Sequence, residues 1–162
     1  MNILPILEVF QHMFKISNMD MQALLACQKR HIYTEDFVFD DLFTRPLNLD
    51  MYDNKIGNFY KLSLRDDLAS NFIILGNKCK NVLFYPPFGG MGWHTNGPAA
   101  GKRIYISWSE TGESGMNWYN TEKDIVTIDK DEIGFNIRVF DIPQWHCVWS
   151  KCNRFSVGFD IG

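Results

Sequence analysis

The sequence predicts an α+β domain, mainly antiparallel, in which helices and irregular strands precede a jelly-roll half. Three observations carry that expectation. From residue 81 onward, short runs rich in aromatic and β-branched residues recur between turn signals, the spacing of strands in an antiparallel sandwich or barrel. Near the N-terminus, apolar residues recur with helical period instead. The chain has 162 residues, 46% hydrophobic and 15% aromatic, which is material for one core and not for two. The expected layout is a single domain over 1–162, with 1–80 supporting the barrel and 81–162 forming its jelly-roll half.

Taken in order, residues 3–15 place Ile3, Leu7, Phe10 and Phe14 on one helical face, with Pro5 tolerable in a first turn. Residues 19–30, "MDMQALLACQKR", predict a second helix, capped by Asn18 and ending in basic residues. Between 31 and 80 the turn signals "TRP", "DNKIGN" and "GNK" separate short strands, with one helix expected over "SLRDDLASNF". Seven strands follow: "NVLFYPP", "KRIYISWSE", "GMNWYN", "DIVTIDKD", "FNIRVFDI", "WHCVWSK" and "RFSVGFDIG". The helices are expected to cover the outer face of one sheet.

Alternation assigns faces. Arg103, Tyr105, Ser107 and Ser109 point one way; Ile104, Ile106 and Trp108 point the other. Arg154, Ser156, Gly158 and Asp160 share a face opposite Phe155, Val157, Phe159 and Ile161, and His146, Val148 and Ser150 alternate with Cys147 and Trp149. A solvated strand face usually carries Lys, Glu and Thr. These faces carry His, Tyr, Ser, Gly and Arg, a chemistry suited to a lined pocket.

Composition excludes several classes. Net charge is −3, so nothing global marks a nucleic-acid surface. No apolar run approaches the ~18 residues of a membrane helix, and "MNILPILEVF" lacks the basic start and small-residue cleavage site of a secretory leader. Cys27, Cys79, Cys147 and Cys152 are scattered and read as small buried hydrophobes of a reducing, cytoplasmic compartment. His12 and His31 read as structural, and the acid pairs Asp40/Asp41 and Asp66/Asp67 as solvated. Gly89, Gly90 and Gly92 lack the Lys-Ser/Thr of a phosphate loop and read as hinges.

The constellation with chemical content is His94, Asn96, His146, Arg154 and Ser156, in that order. Two imidazoles and one oxygen donor, with open positions, suit non-haem Fe(II). An arginine fork can hold a carboxylate with two hydrogen bonds, and a neighbouring hydroxyl adds a third.

"WHTN", "RIYISW", "GESGMNWY", "IGFNIRVFDIPQWHCVW" and "NRFSVGFD" resemble the Fe(II)- and 2-oxoglutarate-dependent oxygenases over roughly residues 81–162. The resemblance implies a double-stranded β-helix with an H-x-D/E…H metal triad and a following R-x-S cosubstrate clamp. It implies His94 and His146 as imidazole ligands, Arg154 and Ser156 on the distal carboxylate of 2-oxoglutarate, and Tyr105 as a further hydrogen bond to it. Decarboxylation of 2-oxoglutarate to succinate would then drive oxygenation of a substrate. Substrate contacts are expected from the N-terminal half and from loops near 48–58 and 86–93. A small metabolite, an amino acid or a peptide is favoured over nucleic acid.

Asn96 departs from the pattern, because a neutral amide stands where a carboxylate would offset part of the iron charge. The amide oxygen may coordinate in a weaker site, another ligand may take the position, or activity may be lost with the fold retained as a binding protein. Asn96-Gly97 is also a deamidation-prone pair that could generate the carboxylate. The remaining alternative is zinc on His94, His146 and Cys152.

Overall fold

The computed structural model describes residues 26–50, 56–63, 73–74, 77–78 and 81–161. The strands are β1 (Gln28–Tyr33), β2 (Gly57–Ser63), β3 (Ile73–Ile74), β4 (Asn77–Lys78), β5 (Asn81–Tyr85) and β6 (Gly89–His94). They continue with β7 (Gly101–Ser109), β8 (Ser114–Asn120), β9 (Ile125–Lys130), β10 (Gly134–Ile142), β11 (His146–Ser150) and β12 (Arg154–Asp160). The large sheet runs β10-β7-β12-β5-β2-β6-β11-β8-β9 with β1 added to β2, and curls into a half-barrel; β3 and β4 pair separately. Every pairing is antiparallel.

All seven strands expected after residue 81 form. Their alternation commits each to one inward and one outward row, and a slip of one residue would reverse both. Ile104, Ile106, Phe155, Val157 and Phe159, the outward rows of β7 and β12, join Val82 and Phe84 of β5 in one core cluster. Ile104 and Phe159 are fully buried. Side chains of this size stabilise the fold by about 1.5–3 kcal/mol each when removed from water.

A second cluster backs β6, β11 and β8. Leu42 is inserted by a 3-10 turn over Phe39–Phe43 and meets Trp93, Tyr119, Trp145, Cys147 and Trp149. The turn is pinned by side chains: Asn117 Nδ2 donates to Leu42 O (2.9 Å) and Trp93 Nε1 to Thr44 O (2.9 Å). Inside the curl, Phe59, Tyr85, Met116 and Val148 form a third, smaller cluster.

Three sequence expectations require correction or fall elsewhere. Residues 28–30, assigned to the end of the second helix, open β1 instead: Gln28, Lys29 and Arg30 pair with Ser63, Leu62 and Lys61. The ladder with β2 satisfies their backbone, a long-range pairing that overrides local helical preference. Gly89, Gly90 and Gly92 are not hinges but members of β6, all buried. At Gly90 a Cβ would run into the Val148 carbonyl oxygen and stand 2.7 Å from Leu42 Cδ1, so β11 and the 3-10 turn close on it only because no side chain is there. The helix over 3–15, residues 19–25 of the second helix, residues 64–72 of the third, His12, Cys79 and Asp66/Asp67 lie outside the described residues.

β9 and β10 are the two ends of the sheet path, and among the described residues no ladder joins them. A groove of about 730 Å³ lies there, with Thr127, Val139 and Phe140 on its walls. Arg138 of β10 reaches to Asp129 Oδ2 of β9 (2.8 Å) and to Asp131 Oδ1 just beyond it (2.6 Å). No helix among the described residues is long and apolar enough to cross a membrane.

Candidate functional site

His94 ends β6 and His146 begins β11, and the two are direct cross-strand partners. Their ring centroids are 4.2 Å apart, and both residues are buried. Each Nδ1 lies 2.7 Å from the carbonyl oxygen two residues earlier, Gly92 O for His94 and Gln144 O for His146. A carbonyl only accepts, so each Nδ1 carries the proton and each Nε2 is the lone-pair nitrogen. That is how imidazole ligands are commonly oriented toward a metal. Burial, followed by the nearby His94 and Arg103, holds the His146 pKa well below the ordinary 6.5, outweighing the Gln144 bond. His146 is therefore neutral, the form that coordinates.

Asn96 sits beyond β6 with φ at 60°, a left-handed conformation that asparagine tolerates better than most residues. Its Nδ2 donates to Tyr105 OH (3.1 Å) and to His146 Nε2 (3.1 Å). The structure thus brings the sequence-predicted His94, Asn96, His146 and Tyr105 together. Tyr105 is set by the strand beside it. It faces Gly158 across β7–β12, where a Cβ would come within 2.8 Å of Tyr105 Cε1.

Arg154 opens β12, fully buried, with its Nε donating to Asp131 Oδ2 (2.8 Å). Asp131 also accepts from Ser114 Oγ (2.7 Å) and Arg138 Nη1 (2.6 Å). Burial alone would raise the Asp131 pKa, but Arg154, Arg138 and Ser114 more than offset it and hold the carboxyl below its ordinary range. Arg154 lies 5.6 Å over the Tyr85 ring. Its Nη1 and Nη2 are buried and have no hydrogen-bond partner among the described residues. Buried polar groups are usually satisfied, so an orphaned fork in a fully buried guanidinium calls for an acceptor.

A cavity of about 440 Å³ adjoins His94, Asn96, Tyr105 and Ser156, while His146, Arg154 and Asp131 stand behind its lining. Tyr85, His94, Asn96, Arg103, Tyr105, Ser156 and Gly158 line it, and the β1–β2 hairpin closes one wall with Arg30, Ile32, Phe59 and Lys61. Of the inward polar rows, Arg103, Tyr105, Ser156 and Gly158 line the cavity, whereas Ser107, Ser109 and Ser150 are buried without lining it. The N-terminal half contributes to the wall through β1 and β2. The segment 86–93 contributes Met91 from within β6, not from a loop.

Zinc on His94, His146 and Cys152 gains no geometric support. Among the described residues no three His, Cys, Asp or Glu side chains converge to hold a metal. Cys152 instead joins Ser109 (3.5 Å) and Ser150 (3.9 Å). Cys147 packs against Leu42 O (3.2 Å), and like Cys27 and Cys152 it is buried. His31 is structural, stacked on Tyr60 (4.4 Å) and bonded to Asn58 Oδ1 (2.7 Å). Sequence reasoning missed Asp131, Ser114, Arg138, Arg30 and Lys61. Asp131 and Arg138 fell within expected strands and Arg30 at the expected basic end of the second helix, and none of those readings names a partner.

No family model and no curated protein matches the chain. Two solved structures align in part. One is peruvianin-I, a cysteine peptidase from Thevetia peruviana latex, at 20% identity over 49% of this chain and 48% of that one, with a TM-score of 0.35. The other is the capsular polysaccharide assembling protein CapF from Staphylococcus aureus, at 11% identity over 75% of this chain and 30% of that one, with a TM-score of 0.37. The chain thus spans under half the length of either.

Proposed function

We propose that the protein is a double-stranded β-helix oxygenase that uses Fe(II) and 2-oxoglutarate to hydroxylate a small-molecule, amino-acid or peptide substrate. The observation that carries this reading is the buried Arg154 fork, whose two Nη groups have no partner among the described residues, on the same strand row as Ser156, which lines the cavity. Strand order supports the fold assignment: β10-β7-β12-β5 and β6-β11-β8-β9 are two four-stranded sets bridged by β2.

The donor set fits the metal. His94 and His146 present Nε2 lone pairs, and Asn96 adjoins them. As arranged, the Asn96 amide offers a proton to His146; a half-turn of that amide exchanges Nδ2 for Oδ1 and converts the donor into an oxygen ligand. Bound iron and 2-oxoglutarate would supply the oxidising chemistry, O₂ and cosubstrate giving succinate, CO₂ and one oxygen atom for a substrate C–H bond. The chain's own residues do the rest. Arg154 and Ser156 take the distal carboxylate in a site where water would compete poorly, because both side chains are buried. Asp131 keeps the Arg154 Nε occupied, so that the remaining donors serve the ligand. Tyr105 holds the Asn96 amide.

A second reading, a binding protein that keeps the cosubstrate pocket without catalysis, is favoured by the Asn96 N–H turned toward His146. One experiment separates the two. Fe(II) and 2-oxoglutarate are titrated anaerobically while the visible charge-transfer band is followed, and succinate is measured after O₂ is admitted. The oxygenase reading expects the band and succinate from the unaltered protein. It also expects Asn96→Asp to tighten Fe(II), on the order of tenfold or more, since even an indirect partner of a ligand is worth 10–100-fold. Arg154→Met should abolish the band. A band in Asn96→Asp alone would favour the binding protein, and no band in either would end the iron assignment.

A further inference from the structure

The wall formed by β1 and β2 carries two cations that the iron and cosubstrate chemistry does not use. Arg30 and Lys61 are direct cross-strand partners, both exposed at the cavity and both counted in its lining. Like charges placed opposite each other in an antiparallel pair are destabilising. Neither has an ion-pair or side-chain hydrogen-bond partner among the described residues. The other cation of the lining, Arg103, is already answered by Asp160 at 2.8 Å. Among the described residues the cavity thus carries two positive charges without a counter-ion, in a chain whose net charge is −3.

Edge protection does not account for the pair. β1 lies on a sheet edge, where one lysine or arginine discourages pairing with other chains. Lys61, however, lies on β2, which is covered on both sides, and repeats the charge directly opposite. Both side chains project from the face that lines the cavity. The register also places them at a useful depth. Arg30 pairs with Lys61, Lys61 with Leu83 and Leu83 with Ser156, a single row across β1, β2, β5 and β12. Lys61 is two strand spacings from Ser156, about 10 Å across the sheet. A second anion held by Arg30 and Lys61 would therefore lie in the same cavity as Ser156.

We propose that the Arg30–Lys61 pair binds the phosphate of a phosphate-monoester substrate, placing the rest of that molecule toward His94 and His146. The argument rests on the cavity being the oxygenase's substrate chamber. A phosphate monoester carries close to two negative charges and three acceptor oxygens at neutral pH, matching an arginine fork and a lysine point charge. The repulsion between the two cations is relieved only when such a group is bound.

Binding of ribose 5-phosphate, ribose and the diester d(TpT) would be followed by calorimetry and thermal shift at fixed ionic strength, with a parallel 2-oxoglutarate titration. Ribose 5-phosphate is expected to bind and stabilise the unaltered protein, ribose not at all, and d(TpT) more weakly. Arg30→Gln and Lys61→Gln should each weaken ribose 5-phosphate on the order of tenfold or more, the worth of a hydrogen bond to a charged group. The double variant should melt no lower than the unaltered protein, and should keep its 2-oxoglutarate affinity. Lys61→Arg should retain ribose 5-phosphate binding. Equal affinity in the double variant, absence of any phosphate effect, or tighter binding of d(TpT) would overturn the proposal. A parallel loss of 2-oxoglutarate affinity in the double variant would overturn it too, by assigning the wall to the cosubstrate. If the unaltered protein ignores 2-oxoglutarate but binds ribose 5-phosphate through Arg30 and Lys61, the anion wall stands and the oxygenase reading falls.

Discussion

Asp131 and Asn96 hold comparable places, each a polar side chain on which the buried groups of one region converge. Asp131 is a full charge, answered by Arg154, Arg138 and Ser114 at 2.6–2.8 Å. Asn96 is a neutral amide, answered by Tyr105 and His146 at 3.1 Å. The first region is over-determined: its ions fix one another, and only the Arg154 fork is left to engage something else. The second is held by weaker bonds and two neutral rings, and can change its donor by turning one amide. A rigid anchor thus contrasts with an adjustable centre.

The contrast breaks first at the anchor. Asp131→Asn leaves Arg154 charged and buried without its counter-ion, and should cost about 3–5 kcal/mol of stability in urea unfolding. The paired change Asp131→Leu with Arg154→Met should recover much of that loss, because no charge is then stranded. A double variant as unstable as Asp131→Asn would mean the region contributes packing and not ion pairing.

Acid sharpens the comparison, because the two regions respond in different pH windows. Unfolded His146 takes a proton near the ordinary 6.5, whereas burial keeps the folded pKa well below that value. As pH falls below about 6.5, the unfolded chain binds a proton that the folded one refuses. Stability should then decline by up to about 1.4 kcal/mol per pH unit, without added metal, until the folded pKa is reached. Asp131 has the opposite charge type, and its folded pKa lies below the ordinary 3.8. Its contribution is present above that value and is lost only at lower pH. Urea midpoints measured from pH 8 to pH 3 would show two steps, and His146→Gln should remove the upper one.

Smaller changes probe the adjustable centre. Tyr105→Phe removes the acceptor of one Asn96 N–H and should cost roughly 0.5–1.5 kcal/mol, read by the same urea melts. The least change is expected at Asn96-Gly97 itself. Deamidation needs the Gly97 nitrogen to attack the Asn96 side chain, yet that N–H donates to Thr95 Oγ1 at 3.2 Å and the amide is held by Tyr105. Intact mass after prolonged incubation should show no one-dalton gain in the folded protein, and a clear gain in the urea-unfolded chain.

The sequence was most legible where a strand alternates and least where a partner is remote. Ile104, Ile106, Phe155 and Val157 gave their faces away, because every second residue of those strands is apolar. β6 was hidden: Gly89, Gly90 and Gly92 show no alternation, and what makes them a strand is the close approach of β11 and the 3-10 turn. β1 was read as helix because its pairing with β2 is not visible from residues 19–30 alone. His94, Asn96, His146 and Tyr105 were legible because type and order carried them, and the fold does bring them into contact. Asp131 was not, since it gains meaning only from Arg154, 23 residues later in the chain.

The clasp made by Arg138 has a mechanical consequence. Between β9 and β10 the curl is closed by one guanidinium gripping two carboxylates, where other neighbours in the wall are laced by backbone amides. Undoing that closure requires no peeling of a ladder, only release of one side chain. Breathing of the molecule should therefore concentrate at this seam, with amide protons of β9 and β10 exchanging with solvent before those of β12. Salt should hasten it, because the seam is electrostatic where the rest of the wall is not.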